Sequence, residues 1–299
     1  MSEPVDVVVS TRNRPRLLRE ALAAVRAQDH PGVVSTYVVF DGCARDPSLA
    51  DDDPLRPVVV LTNARTPGLA GGRNTGILAG TAPYVAFCDD DDLWSPDKLS
   101  RQLPALAAGT HDTVVSGIVV QYADREVVRV PRPEDLTLAA LVRRRVMEAH
   151  PSTVVVRRDA LARIGLVDEE IPGSYGEDFD WILRAAAHGP LAAVAAPLVR
   201  VRWGTSQFSQ DWDLIVRAID YGLVKHQAFH EDPAALGRLL GRRAFAQAAL
   251  HRRGALRSAA QALRTRPAEP RGYLAAAVAL RLVSAERLMH LAHRRGHGI

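Results

Sequence analysis

A short apolar run, Tyr84-Val85-Ala86-Phe87-Cys88, ends without a spacer in four consecutive aspartates, Asp89 to Asp92. The run has the length and composition of a buried strand, so the acids stand at its carboxyl end, where the chain leaves the core. A similar junction comes earlier. Val5 to Val9 is apolar except for Asp6 and leads into Ser10-Thr11-Arg12-Asn13-Arg14-Pro15; Leu17, Leu18, Ala21, Leu22 and Val25 then follow at helical spacing. Asn13 reads as an N-cap and Pro15 as a first-turn residue. Further strands are predicted at Tyr37 to Phe40, Val58 to Leu61, Val114 to Gln121 and Thr153 to Val156. Strands alternating with amphipathic segments predict an α/β fold, in which ligands bind outside the carboxyl ends of strands. Four carboxylates gathered there repel one another unless a cation is shared among them, and oxygen ligands suit Mg²⁺ or Mn²⁺. The Asp51-Asp52-Asp53 run follows no buried strand and reads as part of a solvated loop from Pro47 to Pro57.

The 299 residues are 47% hydrophobic and 24% charged, which fits a globular chain and excludes a disordered or collagen-like one. No apolar stretch approaches about 18 residues, and Glu3, Asp6 and four arginines occupy the first 20 positions, so neither a membrane span nor a secretory signal is expected. Cys43 and Cys88 have no metal or disulfide spacing, which fits a reducing cytoplasm.

Charge divides the chain. Residues 1–234 carry 25 basic and 32 acidic side chains, a formal −7, whereas residues 235–299 carry 13 arginines against Glu269 and Glu286, a formal +11. Helical segments are predicted near 211–231, 235–252, 255–265 and 270–293, separated by Asp232-Pro233, Gly254 and Pro267 to Pro270. The expected organisation is a catalytic domain over residues 1–210 and a basic helical extension over 211–299. Amphipathic arginine-rich helices suit an anionic membrane surface, here the inner membrane surface, or an acidic partner. With Phe245 and Tyr273 as the only aromatics in the basic segment, no nucleic acid is expected.

Five motifs occur in order from Val5 to about Ser209: Val7-Val8-Val9-Ser10-Thr11-Arg12-Asn13-Arg14-Pro15; Val39-Phe40-Asp41-Gly42-Cys43; Gly68 to Gly76 with Arg73-Asn74; Phe87 to Leu99, FCDDDDLWSPDKL; and Tyr175-Gly176-Glu177-Asp178-Phe179-Asp180-Trp181 with Arg184. Together they resemble the inverting family 2 glycosyltransferases. The resemblance implies a GT-A fold, a Rossmann-like α/β/α sandwich, followed here by a C-terminal helical extension. It also implies a nucleotide diphosphate sugar donor, UDP-linked by preference, an acceptor that the sequence does not identify, and Mn²⁺ or Mg²⁺ as cofactor.

Residue by residue, the resemblance makes Asp91 the principal metal ligand, with Asp89 on the ribose or the metal, Asp90 beside the donor and Asp92 one shell further out. Ser10 and Arg12 would line the donor loop and Asp41 would accept from the base, while Arg73 and Asn74 face the diphosphate or, for Asn74, brace the glycine-rich loop. Asp178 would be the general base and Glu177 would orient the acceptor. Asp180 competes for the base role, because a helix beginning here places 177 and 180 on one face and 178 on another. His150 and Trp181 fall on the acceptor side, and Trp181 and Trp203 are read as core or sugar-stacking residues. The stretch Arg200 to Ser206 lacks the histidine of many relatives, so a metal shell of carboxylates and diphosphate alone is expected.

Two other readings stay open on sequence. A sugar-1-phosphate nucleotidylyltransferase would carry a glycine-rich loop after the first strand, and Ser10 to Pro15 contains no glycine. A silent binding protein on the same fold would be expected to lose the carboxylates, yet Asp89, Asp91 and Asp178 are present.

Overall fold

The computed structural model describes residues 2–122, 125–202 and 211–294, so Trp203 lies outside the described residues. The chain forms two compact units, one made of Met1–Leu141, Arg145–Glu170 and Gly176–Ser206, the other of Val142–Arg144, Ile171–Tyr175 and Gln207–Ile299. Two short segments, 142–144 and 171–175, thus belong to the second unit.

The first unit contains β1 (Val5–Thr11), α1 (Pro15–Arg26), β2 (Val34–Phe40), β3 (Val58–Thr62), α2 (Leu69–Ala79), β4 (Tyr84–Phe87), β5 (Leu93–Trp94), α3 (Lys98–Ala107), β6 (Thr113–Tyr122), β7 (Arg125–Arg129), the start of α4 (Leu138–Arg143), β8 (Val155–Arg157), α5 (Arg158–Ile164), α6 (Glu177–His188) and β9 (Ala192–Arg202). One sheet runs in the order β3-β2-β1-β4-β8-β6-β9-β5, with β7 hydrogen-bonded to β6. The β3-β2-β1-β4 half is parallel, and β8 joins it antiparallel to β4. Strands β5, β7 and β9 escape sequence reading. β5 has two residues, β7 is exposed throughout, and β9 is diluted by alanine and carries Pro197 where its register with β6 shifts.

The glycine motif is explained by packing. A Cβ on Gly72 would lie 2.3 Å from Ser10 Oγ, one on Gly76 2.5 Å from Val8 Cγ1, and one on Gly80 2.2 Å from Asp6 Oδ2. Four helical residues advance about 6 Å and two strand residues about 6.6 Å, so glycines at every fourth position of α2 and its C-cap match alternate residues of β1. The opposite face of β1, Val5, Val7 and Val9, is buried with Leu18, Leu22 and Val25 of α1. Asn13 does not cap α1. It has φ of 57°, and Arg14 occupies the cap position without a capping hydrogen bond from its side chain.

The block after the acids is also structural. Trp94 is buried in β5, and Lys98 Nζ, fully buried, lies 3.9 Å from the centre of its ring. Burial pushes the Lys98 amine down to about 7. Gln28, just after α1, clamps the turn, donating to Ser95 O at 2.7 Å and accepting from Leu99 N at 3.0 Å.

The second unit contains α7 (Trp212–Lys225), α8 (Pro233–Ala249), α9 (Ala255–Thr265), α10 (Pro270–Ala279) and α11 (Ala285–Arg294). Its core is alanine-rich, with Ala244, Ala248, Ala255, Ala259, Ala275 and Val278 around Phe245, which Trp212 meets edge to face at 5.6 Å. The helix expected over 270–293 is two helices: the chain turns at 280–284, where Arg281 has φ of 60°. Asp232 caps α8 through Ala234 N and Ala235 N. The two short segments are tied to α8 within this unit, since Arg238 donates to Val142 O at 3.0 Å and Arg242 to the Tyr175 hydroxyl. Among the described residues no helix is long and apolar enough to cross a membrane.

Candidate active site

The four aspartates leave β4 in a tight turn and divide into two sets. Asp90 is buried and accepts from Thr11 Oγ1 at 2.7 Å and Arg14 Nη1 at 3.1 Å, and the same Arg14 nitrogen reaches Asp91 Oδ2 at 2.7 Å. Thus the loop after β1 holds Asp90 and Asp91. Asp89 and Asp92 turn to the loop before β8. Ser152 Oγ accepts from Asp89 N at 2.9 Å and donates to Asp92 Oδ2 at 2.5 Å. His150 stands beside both, its Nδ1 3.3 Å from Asp92 Oδ2 and its Nε2 3.9 Å from Asp89 Oδ2.

Asp89, Asp92 and His150 each offer one ligand atom, all within 4.8 Å of one another. Burial pushes the His150 ring below its ordinary pKa, against the pull of Asp89 and Asp178, and Nδ1 accepts from Ser152 N, so the ring is neutral, the form a metal ligand requires. Burial, with repulsion from Asp89, pushes the Asp92 carboxyl well up. A bound cation would reverse that penalty. The donor set of two carboxylates and an imidazole fits a divalent metal. The group takes His150 from the loop before β8 together with Asp89 and Asp92, while Asp91, the metal ligand expected from the sequence, lies outside it and is engaged by Arg14.

Arg73 joins the acids to the second motif cluster. It is 4% exposed, donating through Nη2 to Asp89 Oδ1 at 2.7 Å and through Nη1 to Glu177 Oε1. Its guanidinium therefore links two carboxylates rather than lying open toward a diphosphate, and the surrounding acids, Asp89 and Glu177 first, outweigh burial and raise its pKa. Burial pushes the Glu177 carboxyl up to about 7 despite Arg73.

Helix α6 begins at Glu177, after Gly176 in the left-handed region at φ 83°. This start decides the helix phase. Glu177 and Asp180 share the buried face, while Asp178 is partly exposed. Asp180 accepts from Arg184 Nε at 2.9 Å, and Arg184 in turn holds Ile164 O and Leu166 O. That pairing is a brace between α6 and the turn after α5. Trp181 is core, donating to Gly165 O at 3.1 Å and meeting Phe87 edge to face at 5.9 Å. Asp178 Oδ2 accepts from Arg145 Nη2 at 2.8 Å. Burial would raise its carboxyl, but Arg145 and Arg73 outweigh it and hold the group below the ordinary carboxylate range.

The remaining expected donor residues differ in what they do. Ser10 is buried, its hydroxyl without a partner and set against Gly72. Arg12 is exposed, with its guanidinium over Gly42. Asp41 accepts from Asn63 Nδ2 at 2.7 Å and Gly68 N at 3.1 Å, so it fixes the loop before α2. Asn74 is 1% exposed, and its amide is spent on Val167 N, Val167 O and Glu169 Oε1, a bracing arrangement. Thr11, Arg14, Arg145 and Ser152 were given no role on sequence, although Thr11 and Arg14 lie inside the first motif. Beside Thr11 and Arg14 opens a cavity of about 170 Å³ that also touches Phe40, Cys43 and Asp46.

The sequence profile described as "Glycosyl transferase family 2" matches residues 6–165, more than half of the chain and most of the strands that carry this site. The chain belongs to glycosyl transferase family 2. Among family members it is 30% identical over 207 residues to the succinoglycan biosynthesis protein ExoO of Rhizobium meliloti, covering 64% of this chain and 58% of that protein. It is 28% identical over 196 residues to the amylovoran biosynthesis glycosyltransferase AmsB of Erwinia amylovora, covering 58% of this chain and 64% of that protein. The chain thus spans less than two thirds of the length of either relative. Solved structures agree on the GT-A fold. S. aureus TarS 1–349 in complex with UDP-GlcNAc superposes with a TM-score of 0.62 at 16% identity, over 98% of this chain and 92% of that one. The mannosyltransferase PcManGT of Pyrobaculum calidifontis, in complex with GDP-Man and Mn²⁺, gives 0.57 at 21% identity, over 96% and 83%.

Proposed function

We propose that this family 2 chain transfers a sugar from a nucleoside diphosphate sugar, UDP-linked by preference, to an acceptor hydroxyl with inversion. One observation carries the reading: Arg73 ties Asp89 of the acidic turn to Glu177, the neighbour of Asp178, so donor-side and acceptor-side carboxylates form one charge-paired group.

In this reading the acceptor oxygen attacks the anomeric carbon as the bond from that carbon to the diphosphate oxygen breaks. Asp178 takes the acceptor proton, being ionised and partly exposed. Glu177, held by Arg73, anchors the first turn of α6 beside Asp178. Asp89, Asp92 and His150 would hold the divalent ion, with Ser152 orienting the two carboxylates. When bound, the ion neutralises charge on the departing diphosphate. Asp90 and Asp91, with Thr11 and Arg14, hold the turn in place, and Arg12 and Asp41 border the side where a nucleotide base would lie.

Relatives support a polysaccharide acceptor class. ExoO and AmsB are named for biosynthesis of succinoglycan and amylovoran, and TarS and PcManGT were solved with UDP-GlcNAc and GDP-Man. Calorimetry with a panel of nucleoside diphosphates, with and without Mn²⁺, tests donor binding. Donor hydrolysis by the parent and by Asp178→Asn then tests the base. Metal-independent binding, or no binding of any diphosphate, removes the proposal.

A further inference from the structure

We propose that one end of the helical unit docks on an anionic lipid bilayer. Short connections set the geometry. Helices α8 and α9 reverse through 250–254, α9 and α10 through 266–269, and α10 and α11 through 280–284. Two reversals make α8 and α10 parallel, and they pack together, so the 250–254 and 280–284 connections lie at the same end.

That end exposes four leucines: Leu250 at 36%, Leu256 at 46%, Leu280 at 56% and Leu282 at 76%. Leu280 and Leu282 flank Arg281, whose φ of 60° is a conformation that L-residues adopt infrequently. The tip is therefore held with both leucines outward by a turn that no glycine relaxes. Around it Arg252, Arg253, Arg257, Arg281 and Arg287 are exposed, and among the described residues the acids of this end are Glu286, Asp211, which caps α7, and Asp213, which is paired with Arg252. The connections at the other end, 226–232 and 266–269, contain no leucine and carry Glu231, Asp232 and Glu269. Exposed Val224 and Tyr273 lie on the helices flanking them.

Leucines ringed by guanidinium groups match the boundary between acyl chains and phosphate headgroups. The leucines enter the apolar layer, and the arginines reach back to the anionic phosphates. A water-facing role would be served by any polar turn, and a neutral bilayer would leave the arginines without counter-charge. This inference does not depend on the reaction assigned above.

The test is flotation of the full chain with vesicles of phosphatidylcholine alone and of phosphatidylcholine mixed with phosphatidylglycerol. Retention should be at least about tenfold greater on the anionic vesicles and should fall with salt. The Leu280→Ser/Leu282→Ser variant should lower it about tenfold. Arg253→Gln/Arg281→Gln should lower it about fivefold per charge and reduce the salt dependence, and this pair keeps the test intact where circular dichroism shows the leucine variant to be misfolded. Val128→Ser, which removes an exposed apolar side chain of the other unit, should leave retention unchanged. Three outcomes overturn the proposal: no retention on anionic vesicles, equal retention on neutral ones, or a leucine variant that dissolves a dimer while vesicle retention stays the same.

Discussion

Arg145 Nη2 donates to Asp178 Oδ2 at 2.8 Å, with the arginine side chain 47% exposed and the aspartate side chain 14% exposed. The proposed proton acceptor is thus ionised by a neighbour that itself faces solvent. Ionisation prepares Asp178 to receive a proton, and the same pairing lowers its basicity. Arg145→Ala should raise the Asp178 carboxyl toward its ordinary range. The acid limb of kcat/KM against pH should then move to higher pH, with Arg145→Lys intermediate. An unmoved limb separates Arg145 from the base.

Asp178→Asn keeps the shape of the side chain and removes its capacity to take a proton. Turnover should fall by about 10²- to 10⁴-fold while calorimetric affinity for the nucleoside diphosphate is retained. Loss of binding in step with turnover would assign Asp178 to the donor instead.

Arg73→Met leaves Asp89 and buried Glu177 without their shared counter-charge. Removing one partner of a buried ion pair costs about 3–5 kcal/mol, which urea unfolding should register with an unchanged m-value. Arg73→Lys should recover only part, because an ammonium does not span two carboxylates in the fixed fork of a guanidinium.

Glu177 sets a pH dependence of stability. Its folded-state pKa is raised to about 7 from 4.5, so its contribution is complete below about pH 4.5 and is lost as pH rises through 7. Glu177→Gln should flatten the stability curve over that window relative to the parent, as read by thermal melting at a series of pH values. An identical slope in both proteins means that another group sets it.

The metal assignment separates Asp92 from Asp91. Asp92→Asn and His150→Ala should each weaken Mn²⁺ binding at least about tenfold without donor present, followed by electron paramagnetic resonance. Asp91→Asn should alter it less, since Asp91 is paired with Arg14. The reverse order would return the principal ligand to Asp91.

Much of this protein follows from local sequence. Periodicity marks β1, β4, β6 and the C-terminal helices because each pattern reports which side of a segment is buried, and burial acts residue by residue. The acidic turn after Phe87 is legible because four carboxylates at a strand end admit few explanations. The glycine-rich motif is legible as a motif, whereas the close packing of Gly72 and Gly76 against β1 is seen only in the structure. Partners were not legible. Arg73 meets Glu177 across 104 residues, Asp92 meets Ser152 across 60, and Asn74 meets Glu169 across 95. Each of those side chains has several chemically acceptable uses, and only the packing of β1, α2, β4 and α6 brings one of them within hydrogen-bond distance. The choice between Asp178 and Asp180 shows the same limit, since one left-handed residue, Gly176, sets where α6 begins and therefore which carboxylate faces outward. Sequence determined which chemical groups were available and at which strand ends. Tertiary structure decided which of them were already paired, because pairing depends on distance in space, and sequence separation does not report it.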